Sequence, residues 1–414
     1  KYFIYFFFSI LSSRENEMKK LNRNQIAAIL VIAFITASVL FTVFYLYPRI
    51  QYWKLIEVPG ETTLLTRDPD PERTYNAFPK VVRIEKEFNG YENQILAVWY
   101  SGNSHVDKNG DGRIYGAYSR DEGQTWTSPF EIYDDPNLDC RNIGICYAPN
   151  GTLTIFFSKV NVSKMDTKFE AWEDFGYILS EDGGETWSEY HSLIHKQEYA
   201  EMGIATGNGY GDPVLIGDSI YILCYGYPNV TYEETHVAFM LQSNDNGTSW
   251  DLVNEISLET GISTSEADFW YENSLLFGFS RTQNTDKRYL YYIESSDTGM
   301  TWDLYRTDVL GDCPDIFRIS DGRYIVAIRQ TGGSNTYLGY FTLPSDFPTN
   351  DASQKHAVLD GLQVKCLSKA TFGVSHGDVA YPSIIQLKNN RILCVYYDID
   401  AGGVFAKIVH ESDL

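Results

Sequence analysis

Ten side chains with acid, base or phenol chemistry stand in polar stretches between strand-like runs: Arg73, His105, Asp107, Asp139, Arg141, Glu266, Arg281, Arg329, Asp378 and Tyr381. Their types suit the grip and cleavage of a polar molecule. An arginine fork binds a carboxylate through two parallel hydrogen bonds, and Asp, Glu and His exchange protons with a bound group. Each has a plainer reading: Glu266 with Arg281 as a structural ion pair, Tyr381 as one packing aromatic among 31 Tyr, His105 as an ordinary loop residue. Asp107, Asn109 and Asp111 in DKNGDG open like a Ca2+ loop, but its twelfth position is Tyr118 instead of Glu, so a simple turn competes with a metal site. The sequence shows no cofactor motif.

The elements that must position these residues are marked by a repeat. The octet S-x-D-x-G-x-T-W occurs as SRDEGQTW (Ser119 to Trp126), SEDGGETW (Ser180 to Trp187), SNDNGTSW (Ser243 to Trp250, with Ser249 for Thr) and SSDTGMTW (Ser295 to Trp302). The Asp residues 121, 182, 245 and 297 lie 61, 63 and 52 apart, a period of one supersecondary unit per repeat. Each octet follows an aromatic or alternating run, so it reads as a hairpin turn in which Asp ties down backbone N–H groups, Gly takes the turn and Trp packs inward. A second turn series interleaves at about residues 91, 150, 218, 273, 322 and 390. Six units of roughly 60 residues each hold four strands, the signature of an all-β, six-bladed β-propeller of four-stranded antiparallel blades. The last unit supplies three strands, and a segment from about Thr62 to Arg67 is expected to complete it and close the ring. Both turn series fall on one end of such a propeller, so the longer polar connections fall on the other, the face where binding is expected.

Composition agrees. With 43% hydrophobic residues, 15% aromatics and 32 Gly, the chain buries a large core of strands and tight turns. A net charge of −22 argues against nucleic acid as a partner.

The octets are identified as Asp boxes, and residues 61–414 resemble the sialidase superfamily of propellers. That resemblance implies an exo-glycoside hydrolase acting on terminal, acidic sugars, with Tyr381 as nucleophile, Glu266 as the base that takes its proton, and Arg281 and Arg329 as carboxylate-binding residues. It departs from the family in two places. The stretch that aligns with the family's R-I-P motif reads Ala77-Phe78-Pro79, leaving Arg73 as a substitute, and the family's acid has no clear equivalent, leaving His105 or Asp107. Arg141, Asp139 and Asp378 complete the expected substrate-binding set. A noncatalytic carbohydrate-binding or adhesion propeller is the alternative these departures raise, and a scaffold for protein partners is a third.

The N-terminus is a different material. Ile26 to Tyr47 runs 22 residues without a charge, long enough to cross a bilayer, and Arg14, Lys19, Lys20 and Arg23 precede it. It is expected to anchor the chain, with residues 1–25 cytoplasmic, 48–60 a stalk and the propeller outside. The six Cys, at 140, 146, 224, 313, 366 and 394, are then in an oxidising compartment; Cys140 with Cys146 is the pair that sequence distance suggests, whereas Cys224 and Cys394 read as buried thiols.

Overall fold

The computed structural model describes residues 35, 36, 38 and 39, then 55–66, 74–105, 110–164, 171–195, 206–227, 236–256, 262–283, 288–331, 336–349, 351–370 and 378–414. Ile56–Gly332 with Thr336–Leu414 form one compact unit. The other unit, Lys1–Leu55 with Gly333–Asn335, lies almost wholly outside the described residues, and so does the expected membrane span 26–47. Among the described residues no helix is long and apolar enough to cross a membrane.

The compact unit is all antiparallel sheet in a propeller-like arrangement. Strands β1 (Glu61–Leu64), β2 (Tyr75–Ile84), β3 (Gln94–Gly102), β4 (Arg113–Ser119), β5 (Phe130–Tyr133), β6 (Asp139–Tyr147), β7 (Leu153–Val160), β8 (Trp172–Ser180) and β9 (His191–His195) begin it. They are followed by β10 (Asn208–Gly209), β11 (Val214–Ile216), β12 (Ser219–Gly226), β13 (Val237–Ser243), β14 (Asp251–Glu255), β15 (Thr264–Glu272), β16 (Leu275–Thr282) and β17 (Tyr289–Ser295). The chain ends with β18 (Asp303–Arg318), β19 (Tyr324–Gln330), β20 (Tyr337–Leu343), the helix α1 (Ala352–Asp360), β21 (Lys365–Lys369), β22 (Val379–Leu387), β23 (Arg391–Asp398) and β24 (Gly403–His410). The sheets are β2-β3-β4-β5, β6-β7-β8-β9, β10/β11-β12-β13-β14, a seven-stranded β15 to β21, and β22-β23-β24-β1. In the seven-stranded sheet, β18 pairs with β17 through its first half and with β19 from Gly311 onward. The expected closing strand exists: Glu61 to Leu64 pair with Ile408 to Phe405.

Why these segments are strands follows from burial. In β3 every residue is buried, so the run QILAVWYSG is apolar on both faces, as a sheet covered on both sides requires. The sheets pack face to face in succession, and one apolar cluster joins the β2, β6 and β23 strands, tying the last sheet to the first. All six cysteines are free and buried, so Cys140 and Cys146, close as they are in sequence, are not paired. Both sit in β6, six residues apart on a strand that separates their side chains.

The four octets are hairpin turns, between β4 and β5, β8 and β9, β13 and β14, and β17 and β18. In the first, Ser119 Oγ and Thr125 N–H donate to Asp121 Oδ1 at 2.9 and 2.8 Å, Gly123 N–H donates to Ser119 Oγ at 2.8 Å, and Trp126 Nε1 donates to Gly123 O at 3.1 Å. The same pattern recurs around Asp182, Asp245 and Asp297. The turn glycines have φ of 83°, 93°, 85° and 85°, a left-handed backbone that favours Gly.

Candidate active site

The innermost strands share one irregularity. Each loses register where it reaches the site: between Ala77 and Lys80 in β2, Arg141 and Gly144 in β6, Thr264 and Ala267 in β15, Asp312 and Asp315 in β18, and Ala380 and Ser383 in β22. At four of these bulges a non-glycine residue takes the left-handed region: Phe78 (φ 54°), Asn142 (58°), Cys313 (54°) and Tyr381 (48°). A bulge breaks the in-out alternation and re-aims a side chain. Left-handed backbone at bulky residues costs on the order of 1 kcal/mol or more each and gathers where geometry serves function.

Tyr381, Glu266, Arg281 and Arg329 are brought together, as expected. The Tyr381 hydroxyl donates to Glu266 Oε1 at 2.6 Å, and Arg281 Nη1 donates to both Glu266 oxygens at 2.7 Å. The Arg329 guanidinium lies 5.2 Å from the Tyr381 ring centroid. Burial works to raise the Glu266 carboxyl, but Arg281, the Tyr381 hydroxyl and Arg329 outweigh it and hold it at about 2. Burial, Cys313 and Glu266 push the Tyr381 phenol well above its ordinary value. The pair is therefore a neutral phenol hydrogen-bonded to a carboxylate anion.

A residue the sequence reading passed over sits behind the arginines. Asp312, fully buried in β18, lies 3.2 Å from Arg281 Nε, accepts from Arg329 Nη2 at 3.1 Å and accepts from Arg288 Nη1 at 3.0 Å. Arg281 and Arg329 thus do not stand open; both are in ion pairs within the chain.

Asp378 belongs to a second cluster, not to a set of open substrate-binding carboxylates. It accepts from Tyr75 at 2.5 Å and from Tyr397 at 2.5 Å, and His105 Nδ1 lies 3.6 Å away. Burial opposes ionisation of Asp378, and the bonds from His105, Tyr397 and Tyr75 overcome it, holding the group at about 2. Tyr75 gives its one proton to Asp378, so at the 2.6 Å contact between Tyr75 Oη and His105 Nδ1 the histidine is the donor, and Nε2 is the ring nitrogen left for proton exchange with a ligand. The Phe78 ring joins the two clusters: its centroid is 4.9 Å from Tyr381, 5.5 Å from Tyr397 and 5.5 Å from His105. Arg141 is buried on the other side of Phe78, 3.6 Å from Asp139, which accepts from Tyr100 at 3.0 Å. Asp139 is therefore buried behind Arg141 and does not reach out to a ligand.

The remaining expectations divide. Arg73, Asp107 and Asn109 lie outside the described residues. Asp111 accepts from Arg113 Nη2 at 3.0 Å. Ala77 is fully buried, so nothing at that position supplies a guanidinium. Trp172 opens β8 and its indole donates to Asn208 Oδ1 at 3.1 Å.

A third cluster lies among the inner strands. Lys80 Nζ is 3.1 Å from Asp212 and 3.6 Å from Asp315, and Asp212, Asp268 and Asp315 offer oxygens within 4.8 Å of one another. Burial and Asp212 raise Asp268 to about 7, and burial raises Asp315 well above the carboxylate range. Lys80 stays protonated against its own burial because Asp212 and Asp315 face it. The ammonium is the cation this triad holds.

A faint sequence signal marked several of these residues. Phe78-Pro79, Asp212-Pro213, Cys313-Pro314 and Tyr381-Pro382 repeat one residue-before-proline step along the inner segments. Proline removes a ladder donor and is tolerated at bulges.

The chain matches the BNR repeat-like domain family over residues 93–394. Among curated proteins no sequence matches it. Among solved structures it is similar to a protein of unknown function from Dyadobacter fermentans, at 19% identity and a TM-score of 0.67, covering 85% of this chain and 99% of that one. It is also similar to the intramolecular trans-sialidase of Ruminococcus gnavus (11% identity, TM-score 0.62, 85% of this chain and 98% of that one). A third is the NanB sialidase of Streptococcus pneumoniae (13%, TM-score 0.58, 86% and 71%). The repeats, the closing strand and these likenesses agree: the chain belongs to the BNR repeat-like domain family, and its fold is that of the sialidase superfamily.

Proposed function

We propose that the protein is an exo-glycoside hydrolase that releases terminal sugars from glycans by double displacement at Tyr381. The observation that carries the reading is the 2.6 Å hydrogen bond from the Tyr381 hydroxyl to the buried Glu266 carboxylate, itself held by Arg281. Moving the phenol proton to a carboxylate held at about 2 is uphill in the resting site. It becomes feasible only as the phenolic oxygen commits to the sugar's anomeric carbon, so proton transfer and attack are concerted. Tyr381 Oη bonds to the anomeric carbon as the glycosidic C–O bond breaks, and Glu266 takes the proton. The leaving oxygen needs a proton from elsewhere, and His105, with Nδ1 held by Tyr75 and Asp378, supplies it from Nε2 when the ring enters the step doubly protonated. Water then attacks the glycosyl-tyrosine and gives a proton to His105, Glu266 returns its proton to Tyr381, and the sugar leaves with its anomeric configuration retained.

Two further expectations belong to this reading. Counting β18 as outer strand of one blade over Asp303–Leu310 and inner strand of the next over Gly311–Arg318 supports six blades. The uncharged run 26–47, behind a basic segment, supports a single membrane anchor with the propeller outside, where glycans are the available substrate.

Release of 4-methylumbelliferone from a panel of glycosides by the full-length protein in detergent tests the function, with Glu266→Gln alongside. Turnover by wild type and its loss in the variant are expected. A noncatalytic glycan-binding propeller, the reading favoured by Ala77, predicts binding to the same sugars without release.

A further inference from the structure

In the reading just given, Tyr381 and Glu266 react and the arginines orient the sugar; the inference here rests on it and concerns which sugar. We infer that the site takes an uncharged terminal sugar, because Asp312 already supplies the carboxylate that Arg281 and Arg329 would otherwise take from a substrate. Three arginines are buried around the site, Arg141, Arg281 and Arg329, and each is within ion-pair distance of a carboxylate of this chain: Asp139 at 3.6 Å, Glu266 at 2.7 Å and Asp312 at 3.1 Å respectively. Asp378 is a fourth, partly buried carboxylate, and Arg288, half exposed and 3.0 Å from Asp312, brings the count of guanidinium groups to the same number. Among the described residues the site carries no guanidinium in excess of its carboxylates.

An acidic sugar would bring one more anion into this balance. A buried charge without a partner is costly to hold, and the protein avoids that cost by pairing the charge or not admitting it. The feature that would change the balance, a guanidinium at position 77, is replaced by Ala77, and the neighbouring Phe78 fills the space with an aromatic ring against Tyr381 and Tyr397. Asp312 is built in, not incidental. It stands at the register shift of β18, beside Cys313 at φ 54°, which is the same device that aims Tyr381 from β22. Tyr75, Tyr100 and Tyr397 pack buried around Phe78, and what is left open to a ligand beside them is the partly buried Tyr381 and the exposed His105, a ring edge and an imidazole that suit the C–H face and hydroxyls of a neutral pyranose.

Matched pairs that differ by one carboxylate isolate the effect: 4-nitrophenyl glucoside against glucuronide and galactoside against galacturonide, in both anomers, with fucoside, rhamnoside and N-acetylneuraminide added. Turnover and equilibrium binding are both measured on the full-length protein, wild type and Asp312→Asn. Wild type is expected to prefer the neutral member by at least 10-fold, and Asp312→Asn to shift that ratio at least 10-fold toward the acid. If the variant does not fold, the wild-type ratio decides alone. Preference of wild type for the acidic members, or an unchanged ratio in a folded variant, overturns the inference and leaves the hydrolase reading standing. Neutral preference in binding with no turnover does the reverse, and no binding to any member overturns both.

Discussion

The Asp-box rim and the bulged inner strands are made from the same residue types and use them in opposite ways. At the rim, each Asp is surrounded by its own turn: Asp245 Oδ1 accepts from Ser249 N–H at 2.8 Å and from Ser243 Oγ at 2.8 Å, and the flanking Trp250 closes onto Gly247 O. Left-handed backbone there falls on the turn glycine and on the residue before it, Glu122, Gly183, Asn246 or Thr298, in a tight exposed turn closed by its own hydrogen bonds. At the inner bulges, partners come from strands far apart in sequence, as in Tyr381 to Glu266 or Arg329 to Asp312, and left-handed backbone falls on Phe78, Cys313 and Tyr381. Local satisfaction can be repeated four times with little change. Long-range satisfaction is specific to one place, and that is where side chains are held ready for a reaction instead of merely holding a turn.

The comparison breaks first at Tyr381. Tyr381→Phe removes one oxygen and is expected to lower kcat/KM on the best glycoside by about 10³-fold or more, with the melting temperature nearly unchanged. Residual activity within 10-fold of wild type would remove Tyr381 from the chemistry. Its counterpart at the rim is Trp250→Ala. Trp250 is 5% exposed and packs its ring 4.9 Å from Phe156, so the substitution is expected to cost about 3–5 kcal/mol in denaturant unfolding while activity per folded molecule is kept. A loss of activity in the folded fraction would mean the two regions are coupled.

Smaller effects sharpen it. His105→Ala is expected to slow cleavage of alkyl glycosides about 10- to 100-fold, leave 4-nitrophenyl glycosides nearly unaffected and keep KM, because a good leaving group needs no proton. Equal loss on both would make His105 a structural residue. The smallest effect is one of pH. Asp268, at about 7 in the fold against 3.8 ordinarily, is an acid with a raised value. Its contribution favours the folded state below pH 4 and is lost as pH rises from about 4 to 7. Asp268→Asn should therefore flatten the fall of melting temperature over that window, and an unchanged slope would show that the Lys80 cluster does not titrate as described.

Much of the fold was legible because the rim is local. Four octets, an interleaved turn series and a missing last strand led to the sheet pattern and to β1 pairing with β24. The site was legible where the resemblance named residues one by one, as for Glu266, Arg281, Arg329 and Tyr381. It was not where bulges intervene. The polar segments 207–212, 263–268 and 311–315 lack strand alternation, yet β10, β15 and β18 run through them, because a bulge interrupts the period of two by which a strand is recognised. Asp312 was hidden for that reason, and no local pattern told that Asp378 would face Tyr75 across 303 residues.

The central claim is that Tyr381 attacks the sugar. Proton NMR of the first-formed product, recorded before mutarotation on the glycoside turned over fastest, tests it most directly. Retention of the anomeric configuration is the predicted result. Inversion would require water as the direct nucleophile and would contradict the account.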